Sequence, residues 1–210
     1  MRDRPLTATL RPTLADGARL GVARPSPGVA PGATVDELAM AATAGDVEAV
    51  GRLYDALVDP IYRYVAMRLR RREDAEDVTQ LVFERIVAAL PRYRHNGKPF
   101  AAWAFRIARN AVIDHQRRLR PTEPLGAIAE PADGTLVEAL SLRDEEIREL
   151  RAAIRALTPD QQEALALRYG AGLSAEEAAR VMGRQAGTIR GLTFRAIEAL
   201  RRNLSREAGA

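Results

Sequence analysis

The sequence predicts an all-α protein in which two small helical domains are joined by a flexible linker. From Asp36 onwards, apolar residues recur at steps of three and four, which is the period of a helix with one buried face. The patterns from Thr158 to Gln161 and from Ser174 to Glu177 are capping boxes, which are typical of helix starts. Residues 121–142 hold three prolines and two glycines with little periodicity, so they predict a linker between two helical blocks.

The N-terminal segment, residues 1–35, is expected to be a disordered tail. It repeats proline, glycine and alanine, and it has few large apolar side chains and no helical periodicity. Such a segment does not bury enough apolar surface to offset the entropy lost on ordering.

The first helical domain is expected over residues 36–120. Its first apolar stripe is formed by Leu53, Leu57, Ile61, Tyr64, Val65 and Leu69. Pro60 predicts either a new helix or a kink, since proline lacks the backbone donor that a helix interior needs. A second stripe runs from Asp77 to Leu90 through Val78, Leu81, Val82, Ile86 and Val87, and Pro91 closes that helix. Pro99 then suits the first position of another helix. The core face predicted for that helix is Phe100, Trp103, Ala104, Ile107, Ala108, Ala111 and Val112.

The second domain is expected over residues 143–206 and reads as a helix-turn-helix. Its short alanine-rich helix begins after Ser174 and ends at Gly183, and a longer basic helix follows from about Gln185. In this motif the second helix enters the major groove of DNA. The residues available for such contacts are Arg184, Gln185, Thr188, Arg190, Gly191, Phe194 and Arg195. The alternative is a solvated helical face, since charge runs often serve only solubility.

The charge of the first domain changes sign along the chain. An acidic segment holds Glu73, Asp74, Glu76 and Asp77. Pro91–Arg120 then holds Arg92, Arg94, Lys98, Arg106, Arg109, Arg117, Arg118 and Arg120 against Asp114 alone. The total charge is only +4, so its distribution is more informative than its size. Such polarity predicts a protein partner on one side and nucleic acid on the other.

A loop between Tyr93 and Lys98 combines cationic side chains with nearby aromatic residues, as single-strand binders do. Trp103 follows the loop, and Arg106, Asn110 and Arg117 recur at helical spacing beyond it. Polar side chains at those positions suit contacts with bases or phosphates. Each aromatic ring, taken alone, is better explained as part of a hydrophobic core than as a stacking surface, and both alternatives stay open here.

The composition excludes several classes of protein. The sequence has no cysteine and two histidines, which leaves no disulfide, no thiolate zinc site and little acid–base chemistry. We therefore expect no metal, no cofactor and no enzyme activity. Asp74, Glu76 and Asp77 are the only candidates for a metal cluster of a nuclease. The sequence shows neither a long apolar run nor a secretory signal, so we expect a cytoplasmic protein without membrane insertion.

Several segments together resemble the extracytoplasmic-function (ECF) sigma factors, the two-domain members of the bacterial sigma-70 family. The segment Asp74-Ala-Glu-Asp-Val-Thr-Gln80 followed by Phe83 resembles the family's core-binding helix. Phe100-Ala-Ala-Trp103 with Arg106-Ile-Ala-Arg-Asn110 resembles its promoter-melting segment. Leu157 to Gln162, Leu173 to Ala179, and Gly187 to Arg190 with Phe194 to Ala196 resemble its second domain.

The resemblance implies a division of roles. Asp77, Gln80, Phe83 and Glu84 are expected to bind core RNA polymerase at the clamp helices of its largest subunit, with the flap as a further contact. The residues expected at the minus-ten element are Tyr93, His95, Asn96, Lys98, Trp103, Arg106, Arg109, Asn110 and Arg117. The helix-turn-helix residues named above are expected at the minus-thirty-five element. The expected partners are core polymerase, promoter DNA and an anti-sigma factor.

At three places the sequence departs from the family pattern, and there the family's residue roles apply to this chain only in part. Leu81 stands where the family commonly has an acid, and Gly191-Leu192-Thr193 replaces a Ser-Arg-Leu type sequence. The loop at His95-Asn-Gly-Lys-Pro99 is longer than the commonest form of this loop in the family.

The alternative function is that of a stand-alone helix-turn-helix regulator that binds DNA as a dimer. This alternative leaves the first domain unexplained.

Overall fold

The computed structural model describes residues 32–119 and 149–207, with side chains up to residue 204. The predicted tail lies outside this range up to residue 31, and the predicted linker lies outside it entirely. Within the described ranges the ordered elements are helical and no strand occurs, which confirms the all-α fold class.

The first domain contains α1 (Val35–Thr43), α2 (Val47–Arg68), α3 (Arg72–Ala89), a 3₁₀ turn (Leu90–Arg92) and α4 (Phe100–Arg118). The second contains α5 (residues 149–155 of the described range), α6 (Pro159–Leu165), a π-helical turn (Ala166–Gly170), α7 (Ala175–Met182) and α8 (Ala186–Glu207). The helix after Pro99 begins one residue later than predicted, with Pro99 as its N-cap.

The first two helices of the first domain are capped by local side chains, whereas the N-cap residues of α3 and α4 make no such bond. Thr34 and Glu37 form a capping box at α1, and the Asp46 carboxylate accepts from the N–H groups of Glu48 and Ala49 at 3.0 and 3.1 Å. α2 runs through Pro60 as one helix, so no new helix begins there. A single 22-residue helix therefore supplies one long wall of the core.

The core of this domain is formed by all four helices, with Leu38, Ala39 and Ala42 as the buried residues of α1. The buried faces of α3 and α4 differ from the predicted ones. On α3, Leu81 and Val87 are only half-buried, whereas Thr79 and Phe83 are buried. Phe83 packs against Tyr54 of α2, with 4.5 Å between ring centroids. A helix with neighbours on two sides buries a wider face than a single stripe predicts, and this explains the shift.

The α4 prediction was wrong at four positions. Trp103 and Ile107 are half-buried, whereas Ala102 and Phe105 are buried although they were not predicted in the core. Phe105 is 1% exposed. The Phe105 ring meets the Tyr64 ring edge-on, with centroids 5.8 Å apart. Phe105 therefore packs α4 against α2, while α4 also lies against α7 of the second domain.

The second domain starts its helices as predicted. Thr158 with Gln161 caps α6, and Ser174 with Glu177 caps α7, each as a complete capping box. Gly183 ends α7 with φ 65° and ψ 39°, a left-handed conformation that favours glycine. Three residues later α8 begins, which confirms the helix-turn-helix.

The two domains contact each other in this structure. The π turn lies against α2, and α7 lies against α4, so apolar residues of both domains form one buried cluster. Glu163 of α6 reaches into the first domain, where its carboxylate accepts from the Tyr64 hydroxyl at 2.7 Å. The sequence did not predict this contact, because Tyr64 and Glu163 lie on opposite sides of the linker.

Phe105→Ala is expected to lower the free energy of unfolding by about 3–5 kcal/mol, because it removes a large ring from a closed core. Urea titration followed by circular dichroism measures the loss. Ile107→Ala on the same helix is the control, and its half-buried side chain should cost clearly less. Equal losses in the two variants would contradict the placement of Phe105 in the core.

Candidate nucleic-acid and polymerase interfaces

The outer face of α3 carries the predicted polymerase-binding residues. Asp77, Gln80 and Glu84 are exposed and follow one another at three- and four-residue steps, so they share one face. The Gln80 amide donates to the Glu84 carboxylate at 3.1 Å. Phe83 is 8% exposed and lies beneath them against Tyr54. The face therefore presents acidic and amide groups over an aromatic support.

Three aromatic rings hold the start of α4 to the 3₁₀ turn. The Tyr93 centroid lies 5.0 Å from that of Phe100 and 5.1 Å from that of Trp103, and Phe100 and Trp103 are also 5.0 Å apart. Tyr93 is 8% exposed. Burial, with the nearby Asp36 carboxylate as a smaller cause, raises the pKa of Tyr93 above its ordinary value. The phenol therefore stays neutral near pH 7.

A cavity of about 360 Å³ opens beside this aromatic cluster. Asn96, Tyr93 and Trp103 line it, and no Asp or Glu side chain does. Its cationic lining residues are Arg92, Arg94, Lys98, Arg106 and Arg180. Cations around a concave surface raise the local concentration of anions, and the Trp103 ring offers a stacking surface. The cavity thus suits a nucleotide of a single strand.

Of the predicted minus-ten residues, Tyr93, Asn96, Lys98, Trp103 and Arg106 line this cavity, whereas His95, Arg109, Asn110 and Arg117 are not among its lining residues. His95, Asn96, Lys98, Arg106, Asn110 and Arg117 are exposed, whereas Trp103 and Arg109 are half-buried. Asp114, the only acid of the basic segment, lies 3.3 Å from Arg85 of α3. Arg109 differs from the others because its guanidinium lies 3.5 Å from the buried carboxylate of Glu163.

Arg180 was not predicted as a site residue. It belongs to α7 of the second domain, yet it lines the cavity formed by the loop and α4 of the first domain. No local pattern in the sequence signals this position, because it results from the packing of α7 against α4.

The helix-turn-helix presents a largely exposed face on α8. Arg184, Gln185, Thr188, Arg190 and Arg195 are exposed, Phe194 is 67% exposed, and Gly191 is half-buried. Arg184 lies 3.1 Å from Asp160, and Arg190 pairs with Glu176. Exposed ion pairs of this kind contribute about 0–1 kcal/mol, so phosphates can readily replace the acids.

In residues 32–119 and 149–207, no group of three or more His, Cys, Asp or Glu side chains is arranged to hold a metal ion. His115 lies 3.6 Å from Asp74, as a simple pair. None of the helices in these ranges combines the length and the apolarity needed to cross a membrane.

The fold and these surfaces define a two-domain helical protein of the DNA-binding class, with a helix-turn-helix and a separate acidic face. Sequence comparison is more specific. Sigma-70 region 2 matches residues 53–122, and Sigma-70 region 4 matches residues 147–200. The chain belongs to the ECF RNA polymerase sigma factors of the sigma-70 family.

Two relatives illustrate the similarity. The ECF sigma factor BldN of Streptomyces coelicolor is 39% identical over 180 residues, which span 82% of this chain and 66% of BldN, slightly under two thirds of its length. SigD of Mycobacterium tuberculosis is 31% identical over 179 residues, covering 81% of this chain and 84% of SigD. Among solved structures, CnrH in complex with the cytosolic domain of CnrY has the same fold, with a TM-score of 0.63 and 24% identity over 80% of this chain and 96% of that one.

Gly183→Ala is expected to destabilise the second domain by about 1–2 kcal/mol, because an alanine there must adopt the left-handed conformation. A Cβ at this position meets no atom within 4 Å, so the cost is one of backbone conformation alone. Gly187→Ala also meets no atom, but it lies inside α8 and is expected to stabilise by up to about 1 kcal/mol. Thermal unfolding of both variants should give shifts of opposite sign, and shifts of the same sign would contradict this account.

Proposed function

We propose that this chain acts in the bacterial cytoplasm as an initiation factor that binds core RNA polymerase and directs it to promoters. The observation that supports this most is the presence of two surfaces of different charge on one small domain. An acidic, exposed face lies on α3, and a cationic cavity with an aromatic wall lies beside α4. The factor would act by binding rather than by catalysis. The family relationship favours this function over that of a stand-alone regulator.

The proposed polymerase contact is the outer face of α3. Asp77, Gln80 and Glu84 would meet the clamp helices of the largest subunit, and the second domain would reach the flap. Phe83 is buried, so its role in this contact would be to position the helix rather than to touch the partner. Charged rim residues mainly govern the rate and register of association, which fits this exposed acidic face.

The proposed minus-ten contact is the cavity. An unstacked base of the non-template strand would enter between the loop and Trp103, while Lys98 and Arg106 hold phosphates. Flipping a base out of a duplex costs a few kcal/mol, and stacking on an aromatic side chain returns about 1–3 kcal/mol per base. Tyr93 is covered by Phe100 and Trp103, so it would support the stacking surface. Binding energy alone would then open the duplex.

The proposed minus-thirty-five contact is duplex DNA read by α8. The exposed arginines Arg190 and Arg195 of α8, with Arg184 in the turn before it, suit guanine edges or phosphates, and Phe194 suits a thymine methyl group. Gln185 and Thr188 near the start of the helix would complete the contact, with Gly191 allowing close approach.

We also propose an anti-sigma partner that covers these surfaces when the factor is inactive. CnrH was solved with the cytosolic domain of CnrY, and RpoE of Bartonella quintana with the anti-sigma factor NepR. The latter is 23% identical to this chain, with a TM-score of 0.59 over 76% of this chain and 98% of that one.

Run-off transcription with purified core polymerase and a promoter library tests the division of roles. Asp77→Arg should strongly weaken core binding, chiefly by slowing association, because it reverses a charge on the proposed clamp contact. Asn110→Ala should keep core binding but reduce promoter opening. Asp59→Arg, which reverses an exposed carboxylate on α2 outside the proposed surfaces, is the matched control. Binding of duplex DNA as a dimer, without any initiation by the wild type, would instead support a stand-alone regulator.

Trp103→Ala should weaken binding of a single-stranded minus-ten oligonucleotide to the polymerase complex by about 1–3 kcal/mol, the value of one stacked base. Fluorescence anisotropy of a labelled oligonucleotide measures the loss. Binding of minus-thirty-five duplex should be unaffected, because α8 lies in the other domain. An equal loss on both DNA probes would show that the substitution damages the fold rather than the cavity.

A further inference from the structure

The start of α4 is held by a carboxylate from another helix. The N-cap residue of α4 is Pro99, which makes no side-chain cap hydrogen bond. The N–H of Phe100, the first residue of the helix, donates instead to the Asp36 carboxylate of α1 at 2.5 Å. Because first-turn N–H groups have no partner within their own helix, this contact supplies a cap that the local sequence lacks. A carboxylate at this end of a helix also interacts favourably with the helix dipole.

Asp36 reaches α4 from an anchored element. It is half-buried near the start of α1, and that helix has its own capping box of Thr34 and Glu37. The Asp36 side chain is therefore not needed to cap its own helix. α1 lies against both α4 and the 3₁₀ turn, and its residues Leu38 and Ala39 are buried in the core. The carboxylate is thus presented to α4 from a fixed position.

The capped residue supports the aromatic cluster beside the cavity. Phe100 is fully buried, and its ring contacts those of Tyr93 and Trp103. Asp36 also lies near Tyr93, where it adds to the effect of burial in raising the pKa of that phenol. Trp103 follows Phe100 by about one helical turn, so the conformation of the first turn of α4 sets the direction of the Trp103 ring. Asp36 itself does not line the cavity.

We propose that Asp36 is a positioning residue of the single-strand site, which holds the first turn of α4 and thereby the stacking face of Trp103. In this account α1 is a working part of the minus-ten site, although the match to Sigma-70 region 2 begins only at residue 53, after α1. The cap rests on the contacts above, whereas its effect on DNA binding rests on the proposed function.

Charge and position have opposite consequences when Asp36 is replaced. Asp36 is an acid near a cavity lined by cationic side chains. If only its charge matters, its removal strengthens DNA binding, because the field around the cavity becomes more positive. If its cap matters, removal weakens binding, because fewer molecules hold Trp103 in the binding-competent position. Asp36→Asn separates the two effects, since an amide keeps an acceptor oxygen without the charge.

The effect on Trp103 can be measured without DNA, because Trp103 is the only tryptophan of the chain. In full-length Asp36→Ala, acrylamide should quench the tryptophan fluorescence more strongly than in the parent protein, whereas Asp36→Asn should stay near the parent. Glu37→Ala is the matched control, since it removes the neighbouring acid and its capping-box contact but leaves the contact with Phe100. Unchanged quenching in Asp36→Ala, or an equal rise in Glu37→Ala, would overturn the cap.

Hydrogen exchange of the Phe100 amide in the unaltered protein provides a measurement that needs no variant. A first-turn amide without an acceptor exchanges rapidly through local fraying, whereas one held by a carboxylate is protected. We expect slow exchange at Phe100. Rapid exchange would overturn the cap, even if Asp36→Ala fails to fold.

Binding of a labelled single-stranded minus-ten oligonucleotide to the polymerase complex tests the effect on DNA. Asp36→Ala should weaken binding about fivefold, which corresponds to about 1 kcal/mol, the usual value of a helix cap. Asp36→Asn and Glu37→Ala should bind at least as tightly as the parent. Adding Asp36→Ala to Trp103→Ala should cause no further loss, because Asp36 acts through that ring.

Two results would overturn this role at the DNA site. One is tighter or unchanged oligonucleotide binding by Asp36→Ala, and the other is a loss in the double variant equal to the sum of the two single losses. Unchanged binding by Trp103→Ala alone would overturn the proposed single-strand site and with it the DNA role of Asp36. The quenching and exchange measurements would still decide whether Asp36 caps α4.

Discussion

Close packing of α4 against its neighbours is the constraint on which the rest of the structure depends. Ala104, Ala108 and Ala111 are fully buried on this helix, and small side chains let the axes of packed helices approach. Because one side of α4 is fixed in this way, the cations on its other side project from a rigid element. Sites built on helices are held more accurately than sites on loops, which suits a cavity with an aromatic wall.

The parts of the fold that the sequence predicted are those with local causes. Thr158, Ser174 and Gly183 each fix a helix end through atoms a few residues away, so their positions are readable without a structure. Phe105 and Phe83 were missed because their burial depends on which neighbour lies beside the helix. Helical periodicity placed Arg190 on an exposed face correctly, whereas it placed Asp77 in the apolar stripe of α3 although that residue is exposed. The roles of both residues remain predictions.

The contacts of Arg180 and Glu163 could not be predicted, because they join segments on opposite sides of residues 120–148. Because such contacts join distant segments, the charge pattern of the first domain predicted only part of the electrostatics. The pattern separates an acidic helix from a basic one, but it cannot show that one acid of the second domain neutralises two arginines of the first. Buried ion pairs contribute little net stability, and they specify one arrangement over others because mismatched arrangements are costly.

The π turn at Ala166–Gly170 makes this arrangement sensitive to chain length. The N–H of Ala171 donates to the carbonyl of Ala166 at 2.9 Å, five residues back, so the turn holds one residue more than an α-helical turn. Each residue of an α-helix advances by about 100° around the axis. Loss of one residue here would thus turn Gly170 away from α2 while sparing the caps of α7. Insertion or deletion of a single codon is therefore a route by which domain docking can diverge between relatives without a change in the DNA-reading helix.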